Sequence, residues 1–243
     1  TLFPYTTLFR SLIRSVIMAL ILSVFFLPIQ SFAATTSFKD LKKSHWAYDN
    51  IMKTVQKGYF VGFDDGTFKP ENNVSRAQAI TLIIRILNLE EDVSAYPFND
   101  QGAKWAHGYI GAAHKHGILN KNDYGANFNP DRAITRAELA KWLSNALAYV
   151  NKEYGQAIHS TKDTLLPIPE YYTNRIKKED IPYVAVMMGT GIMTGFENKE
   201  WRPNNSTTRA QMATVLLRLE DAMKKKPQDF FHLRELIAVG ETG

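Results

Sequence analysis

Phe68-Lys69-Pro70-Glu71-Asn72-Asn73-Val74-Ser75-Arg76-Ala77-Gln78 decides how this chain is built, because its skeleton returns twice. Phe128-Asn129-Pro130 leads to Thr135-Arg136-Ala137-Glu138, and Trp201-Arg202-Pro203 leads to Thr208-Arg209-Ala210-Gln211. Each tetrapeptide starts five residues after its proline. A tetrapeptide alone can recur by chance; a block with fixed internal spacing marks duplicated structural units.

The tetrapeptide is a helix start. Ser75, Thr135 and Thr208 stand as N-caps, with Gln78, Glu138 and Gln211 three positions on. At that capping-box spacing each side chain satisfies an orphan backbone N–H at the other's position. Replacing such a cap by Ala costs about 0.5–2 kcal/mol. Val74 and Ile134 precede their caps, and Ala79 and Leu139 follow at the fourth helical position, where a hydrophobic staple forms. Ile80, Ile83, Ile84 and Leu87 then give a wide apolar face, as do Met212, Val215, Leu216 and Leu219 in the third copy.

Upstream, each unit begins with a shorter helix. Tyr48, Ile51, Met52 and Val55 form one apolar stripe, and Gly58 stops the helix because glycine adopts the left-handed conformation there. Asp64-Asp65-Gly66 reads as a tight turn and Pro70 closes the loop. Repeat one spans 38–90 and opens with Phe38-Lys39-Asp40, then Trp46-Ala47, Ile51, Gly58 and Gly62. Repeat two spans 98–150, with Phe98-Asn99-Asp100, Trp105-Ala106, Ile110 and Gly117 in the same order. Repeat three, 172–223, keeps its second half, Gly191 to Gly195 followed by Trp201-Arg202-Pro203. Counting back without gaps puts Tyr172-Thr173-Asn174 where Phe98-Asn99-Asp100 stands, so the third unit reads as lacking the Asp and the Trp, with Pro182 interrupting its first helix. Residues 151–171 read as a connector, with Pro167 and Pro169 marking irregular chain. Residues 224–243 read as a linker followed by either the start of a truncated cargo region or a final packing helix. Two-helix units of this kind cannot bury their apolar faces alone. The expected fold is therefore mainly α, three tandem helix-loop-helix repeats packed as a pseudo-threefold module.

Composition narrows the function. The chain has 243 residues, 45% of them hydrophobic, enough for a real core. Cysteine is absent, which excludes disulfides and thiolate metal sites. Two of the 29 basic residues, Arg10 and Arg14, and none of the 24 acids, precede Ala33, leaving a balance of +3 over the rest. That is too mild for a nucleic-acid stripe. Arg10 and Arg14 lead into an apolar run, Val16 to Ile29, and Ser31-Phe32-Ala33 supplies small residues for cleavage. Residues 1–33 thus read as an export signal; the run is too short for the roughly 20 residues of a membrane span. Thr1 to Ser11 do not fit an ordinary signal start and are expected to be non-native.

The order Phe-x-Asp, Trp-Ala, Ile, Gly-x-x-x-Gly, aromatic-x-Pro, Ser/Thr-Arg-Ala-Gln/Glu resembles the S-layer homology repeat, over Phe38 to about Met223. Thr135-Arg136-Ala137-Glu138 matches that family's signature as it stands. The resemblance implies three tandem repeats folding into one helical module on an exported bacterial protein. It also implies binding of secondary cell-wall polysaccharide through pyruvate-ketal N-acetylmannosamine, hence non-covalent anchoring at the cell wall or surface. Implied partners are that polysaccharide, or further copies in a surface layer; nucleic acid, a membrane after signal cleavage, and any cofactor are not expected. The alternatives are the anchoring part of an envelope hydrolase whose catalytic domain lies elsewhere, or a structural self-assembling protein.

A pyruvate ketal presents a carboxylate, which suits an Arg fork and helix N-terminal N–H groups. Arg76, Arg136 and Arg209 sit at the first helical position, where both are expected. Trp46 and Trp105 would offer a sugar a flat apolar face, Asp40 and Asp100 would accept hydroxyl hydrogen bonds, and Gly62 and Gly195 would permit close backbone approach. Each has a structural alternative. The arginines can instead pair with Asp40 or Asp100, fixing one unit against its neighbour. The tryptophans can be core, Phe68, Phe128 and Trp201 loop anchors, and the glycines helix stops. With repeat three degraded, one or two competent grooves are expected.

Other chemistry is weakly supported. His114 and His116, two apart, do not share a helix face, and zinc pairs favour a spacing of four. Asp64-Asp65-Gly66 is too short for a 12-residue calcium loop. The chain carries no nucleophile elbow or Walker loop, so a non-enzymatic binder is expected.

Overall fold

A computed structural model describes residues 37–242; the expected export signal lies outside them. Nine α-helices occur among the described residues. They are α1 (Tyr48–Gln56), α2 (Arg76–Ile86), α3 (His107–Lys115), α4 (Arg136–Val150), α5 (Lys152–Ser160), α6 (Pro169–Tyr172), α7 (Ile181–Gly189), α8 (Arg209–Ala222) and α9 (Phe231–Thr242). The described residues form no sheet, only isolated bridges between the repeat loops. The fold is mainly α. None of the described helices is long and apolar enough to cross a membrane.

The second helix of each repeat packs on the first helix of the next. Thus α2 lies on α3, α4 on α7, and α8 returns to α1. Side-chain bonds cross each junction: Arg85 to the Tyr109 hydroxyl at 3.3 Å, Ser144 to the Tyr183 carbonyl at 3.3 Å, and Asn50 to Thr214 at 3.1 Å with Lys57 to Glu220 at 2.8 Å. Because every second helix has neighbours on several sides, α2 buries Ala77, Ala79, Ile80, Leu82, Ile83 and Ile84, wider than a single stripe.

Three backbone bonds close a ring at the centre. Val74 N donates to Thr207 O at 2.9 Å, Thr207 N to Ile134 O at 3.0 Å, and Ile134 N to Val74 O at 2.9 Å. Val74 and Ile134, considered above as staple residues, are fully buried at this pseudo-threefold axis. The axis holds the three tetrapeptides side by side.

Within each repeat the same device fixes the loop before the tetrapeptide. Lys69, Asn129 and Arg202, the middle residues of aromatic-x-Pro, all have positive φ (56°, 53° and 56°), which costs a non-glycine residue about 1–2 kcal/mol. A carboxylate holds each one there. Asp40 accepts from Phe68 N at 2.8 Å and Lys69 N at 2.7 Å. Asp100 accepts from Phe128 N at 3.2 Å and Asn129 N at 2.7 Å. In repeat three Glu170 does the same, accepting from Trp201 N at 2.9 Å and Arg202 N at 2.7 Å.

Repeat three is therefore more complete than the gapless count allows. Its carboxylate comes from α6, four residues before Asn174. Pro182 does not interrupt the first helix either: α7 starts at Ile181, and proline is tolerated in a first turn, where the missing N–H would be unpaired anyway. Residues 151–171 include an ordered helix, α5, capped by Asn151, whose Tyr154 hydroxyl reaches the carbonyls of Ala222 and Lys225, both at 3.2 Å. The tail forms a packing helix. Leu233 of α9 seats on Gly189, where an added Cβ would come within 2.6 Å of the Leu233 backbone.

Candidate functional site

All three tetrapeptides make both arms of the capping box. The first two helical N–H groups are also taken, by the following repeat. Arg76 N and Ala77 N donate to Arg132 O and Pro130 O, Arg136 N and Ala137 N to Asn205 O and Pro203 O, and Arg209 N and Ala210 N to Asn72 O and Pro70 O, each at 2.9 Å. With the cap serving the third, these N–H groups are not open to an anion, contrary to the sequence-based expectation.

The arginine side chains are buried and also cross to the next repeat. Arg76 donates to Phe128 O at 2.5 Å and pairs with Glu138. Arg136 donates to Trp201 O and Thr194 O, both at 2.8 Å. Arg209 donates to Phe68 O at 2.8 Å and Val61 O at 3.0 Å. The alternative pairing with Asp40 or Asp100 does not occur, because those carboxylates are spent on loop N–H groups. Burial is the first cause that pushes Arg136 and Arg209 down, each to about 10; for Arg136 the nearby Arg202 adds to it.

Around Arg136 lies a cavity of about 410 Å³, lined by Trp46, Thr194, Gly195, Gln211 and Arg218 among others. Three repeats contribute to it: Arg136 from the second, the Gly195 loop and α8 from the third, Trp46 from the first. Trp46 is 62% exposed and Trp105 57%, so neither is core. Trp46 stacks on His45, with ring centroids 5.7 Å apart, which steadies an otherwise open indole. The guanidinium of Arg136 lies over the Phe196 and Trp201 rings, 5.0 and 4.7 Å from their centroids.

A second cavity, about 490 Å³, holds Arg76 with Tyr124, Glu138, Lys141, Lys177 and Asp180. Its charges are largely paired internally, Arg76 with Glu138 and Lys141 with Asp123 at 2.8 Å. Neither tryptophan lines it.

Of the sequence-predicted residues, Trp46, Arg136 and Gly195 come together in one cavity. Arg76 lines the other cavity, and Arg209 is buried against repeat one. Trp105 stands on the Lys104–Ala106 turn beside α2. Asp40 and Asp100 clamp loops. Gly62 makes room for the Phe38 ring, which a Cβ would strike. Phe68, Phe128 and Trp201 are fully buried loop anchors. Sequence reasoning missed Thr194, Gln211 and Arg218 as cavity residues. Gln211 was visible only as a cap, although its position across from the preceding repeat's arginine follows from the threefold arrangement.

The S-layer homology domain model matches residues 37–80, 97–140 and 175–213, one match on each repeat. The chain belongs to the S-layer homology family. An S-layer protein of Bacillus licheniformis is 34% identical over 81% of this chain and 21% of that protein. S-layer protein EA1 of Bacillus anthracis is 33% identical over 80% of this chain and 21% of its own length. An endoglucanase of Bacillus sp. (strain KSM-635) is 29% identical over 96% of this chain and 24% of the enzyme. The chain thus spans about a fifth to a quarter of the length of these relatives.

Proposed function

We propose that this three-repeat module anchors an exported protein non-covalently to the bacterial cell surface by binding an acidic cell-wall polysaccharide, without catalysing a reaction. The ligand class is pyruvylated N-acetylmannosamine polymer, and the site is the cavity of Arg136, Trp46 and Gly195. One observation carries this reading. Arg136 is a buried cation with no carboxylate bonded to it among the described residues, and it lines a cavity whose rim carries an exposed indole. A buried charge bonded only to carbonyls favours an anionic ligand, and a sugar ring can cover the indole. The S-layer names of the relatives support placement at the cell surface. The endoglucanase relative supports a second reading, in which the same module tethers an envelope hydrolase encoded in one longer chain.

Co-sedimentation with purified cell-wall sacculi tests the reading, before and after extraction of the pyruvylated polymer. The module is expected to pellet with intact sacculi and stay in solution with stripped ones. Equal pelleting with both would overturn it.

A further inference from the structure

We infer that the residue three positions after the cap selects which of the two arginine-lined cavities accepts an anionic sugar: Glu138 acts as a resident counter-ion that closes the Arg76 cavity, whereas Gln211 leaves the Arg136 cavity open. The inference rests on the binding reading above and deepens it from a module to one cavity.

The three residues are held alike. Gln78 Oε1 accepts from Ser75 N at 3.1 Å, Glu138 Oε2 from Thr135 N at 3.0 Å, and Gln211 Oε1 from Thr208 N at 3.1 Å. That bond commits one terminal atom to the cap and leaves the other free of it. In Glu138 the second atom is Oε1, and it pairs with Arg76. In Gln211 it is the amide Nε2, since Oε1 is committed to the cap. An amide donor there adds to the positive potential of Arg136 instead of cancelling it.

The remaining charges agree. In the Arg76 cavity Lys141 is neutralised by Asp123, and the acids Asp123, Glu138, Glu179 and Asp180 balance the cations Arg76, Arg132, Lys141 and Lys177. An incoming carboxylate there would meet carboxylates already in place, and like charges at short range oppose binding. In the Arg136 cavity the cations are Arg136 and Arg218, with Glu197 the single acid lining it. Arg136 bonds only to carbonyl dipoles, which satisfy its N–H groups without removing its charge.

The test swaps these two residues and reads each arginine separately. The full chain is labelled with ¹⁵N-arginine and its side-chain Nε–H signals are assigned through Arg76→Lys and Arg136→Lys. It is then titrated with a synthetic pyruvate-ketal N-acetylmannosamine. In the native chain the Arg136 signal is expected to shift saturably and the Arg76 signal to stay still. Glu138→Gln is expected to give Arg76 a saturable shift and to raise the stoichiometry by one per chain. Gln211→Glu is expected to weaken the Arg136 response at least tenfold. Both variants keep the capping box, because Gln serves it at 78 and 211 and Glu at 138. Comparable shifts at Arg76 and Arg136 in the native chain, or a still Arg76 signal after Glu138→Gln, would overturn the role of Glu138 alone. A native chain in which Arg136 never responds would instead overturn the binding reading itself.

Discussion

The guanidinium of Arg209 donates to the carbonyl of Phe68, 141 residues earlier in the chain, at 2.8 Å. Arg76 reaches Phe128 and Arg136 reaches Trp201 in the same way, so each repeat's arginine holds the loop of the next. Of these three, only the Arg209 bond runs backwards, and with the packing of α8 on α1 it helps to close a linear array into a ring. Ring closure explains why the Arg136 cavity can draw on all three repeats.

Removing the closure should therefore be costly although Arg209 is far from the proposed ligand. Arg209→Met leaves the Phe68 and Val61 carbonyls without their charged donor. Bonds from charged donors contribute about 1.5–3 kcal/mol each, so a loss of about 3 kcal/mol is expected. For a chain of this size that lowers Tm by about 6–12 °C. Circular-dichroism melting checks it; a Tm within one degree of the native protein would contradict a structural role.

The carboxylate clamp predicts a contrast within repeat three. Glu170→Ala orphans Trp201 N and Arg202 N and should destabilise by about 2–4 kcal/mol, as Asp40→Ala should in repeat one. Asn174→Ala, at the position that gapless counting equates with Asp100, should cost no more than about 1 kcal/mol, and that from its φ of +54°, which Asn adopts more readily than Ala. Urea midpoints of the three variants settle the comparison.

These cases mark what local sequence can reveal. The capping boxes were legible because Ser75 and Gln78 lie within one turn and the chemistry is local. The helix stop at Gly58 was legible for the same reason, and its φ of +74° favours glycine. The partners of the arginines were not legible, since they lie 52 to 148 residues away and several are backbone carbonyls that no side-chain pattern encodes. Glu170 escaped because a longer side chain on a helix replaces a shorter one in a loop, which breaks the spacing. Exposure of Trp46 and Trp105 was likewise invisible, because aromatic burial depends on which helix arrives opposite.

Trp46→Ala should separate binding from folding. With 62% of the residue exposed, truncation should leave melting unchanged while weakening polymer binding about tenfold, equivalent to about 1.4 kcal/mol. Melting and surface-bound polymer affinity, measured on one preparation, check both halves. A lower Tm with intact affinity would assign the indole to packing.

Acid should weaken the fold partly through Asp92. Its carboxylate accepts from Lys115 at 2.8 Å and from the Ser94 hydroxyl at 2.5 Å, and these bonds hold its pKa down at about 2, against an ordinary 3.8. A depressed folded pKa contributes stability that is present above the ordinary value and lost as pH falls through about 2. Asp92→Asn should therefore flatten the stability profile between pH 4 and 2, read from urea midpoints across that range.

The most direct test of the anchoring account is a calorimetric titration of the module with purified cell-wall polymer, native and chemically depyruvylated. The account predicts saturable binding to the native polymer and at least tenfold weaker binding once the ketal carboxylates are gone. Equal affinity for both would contradict it, because the buried charge of Arg136 would then have no part in recognition.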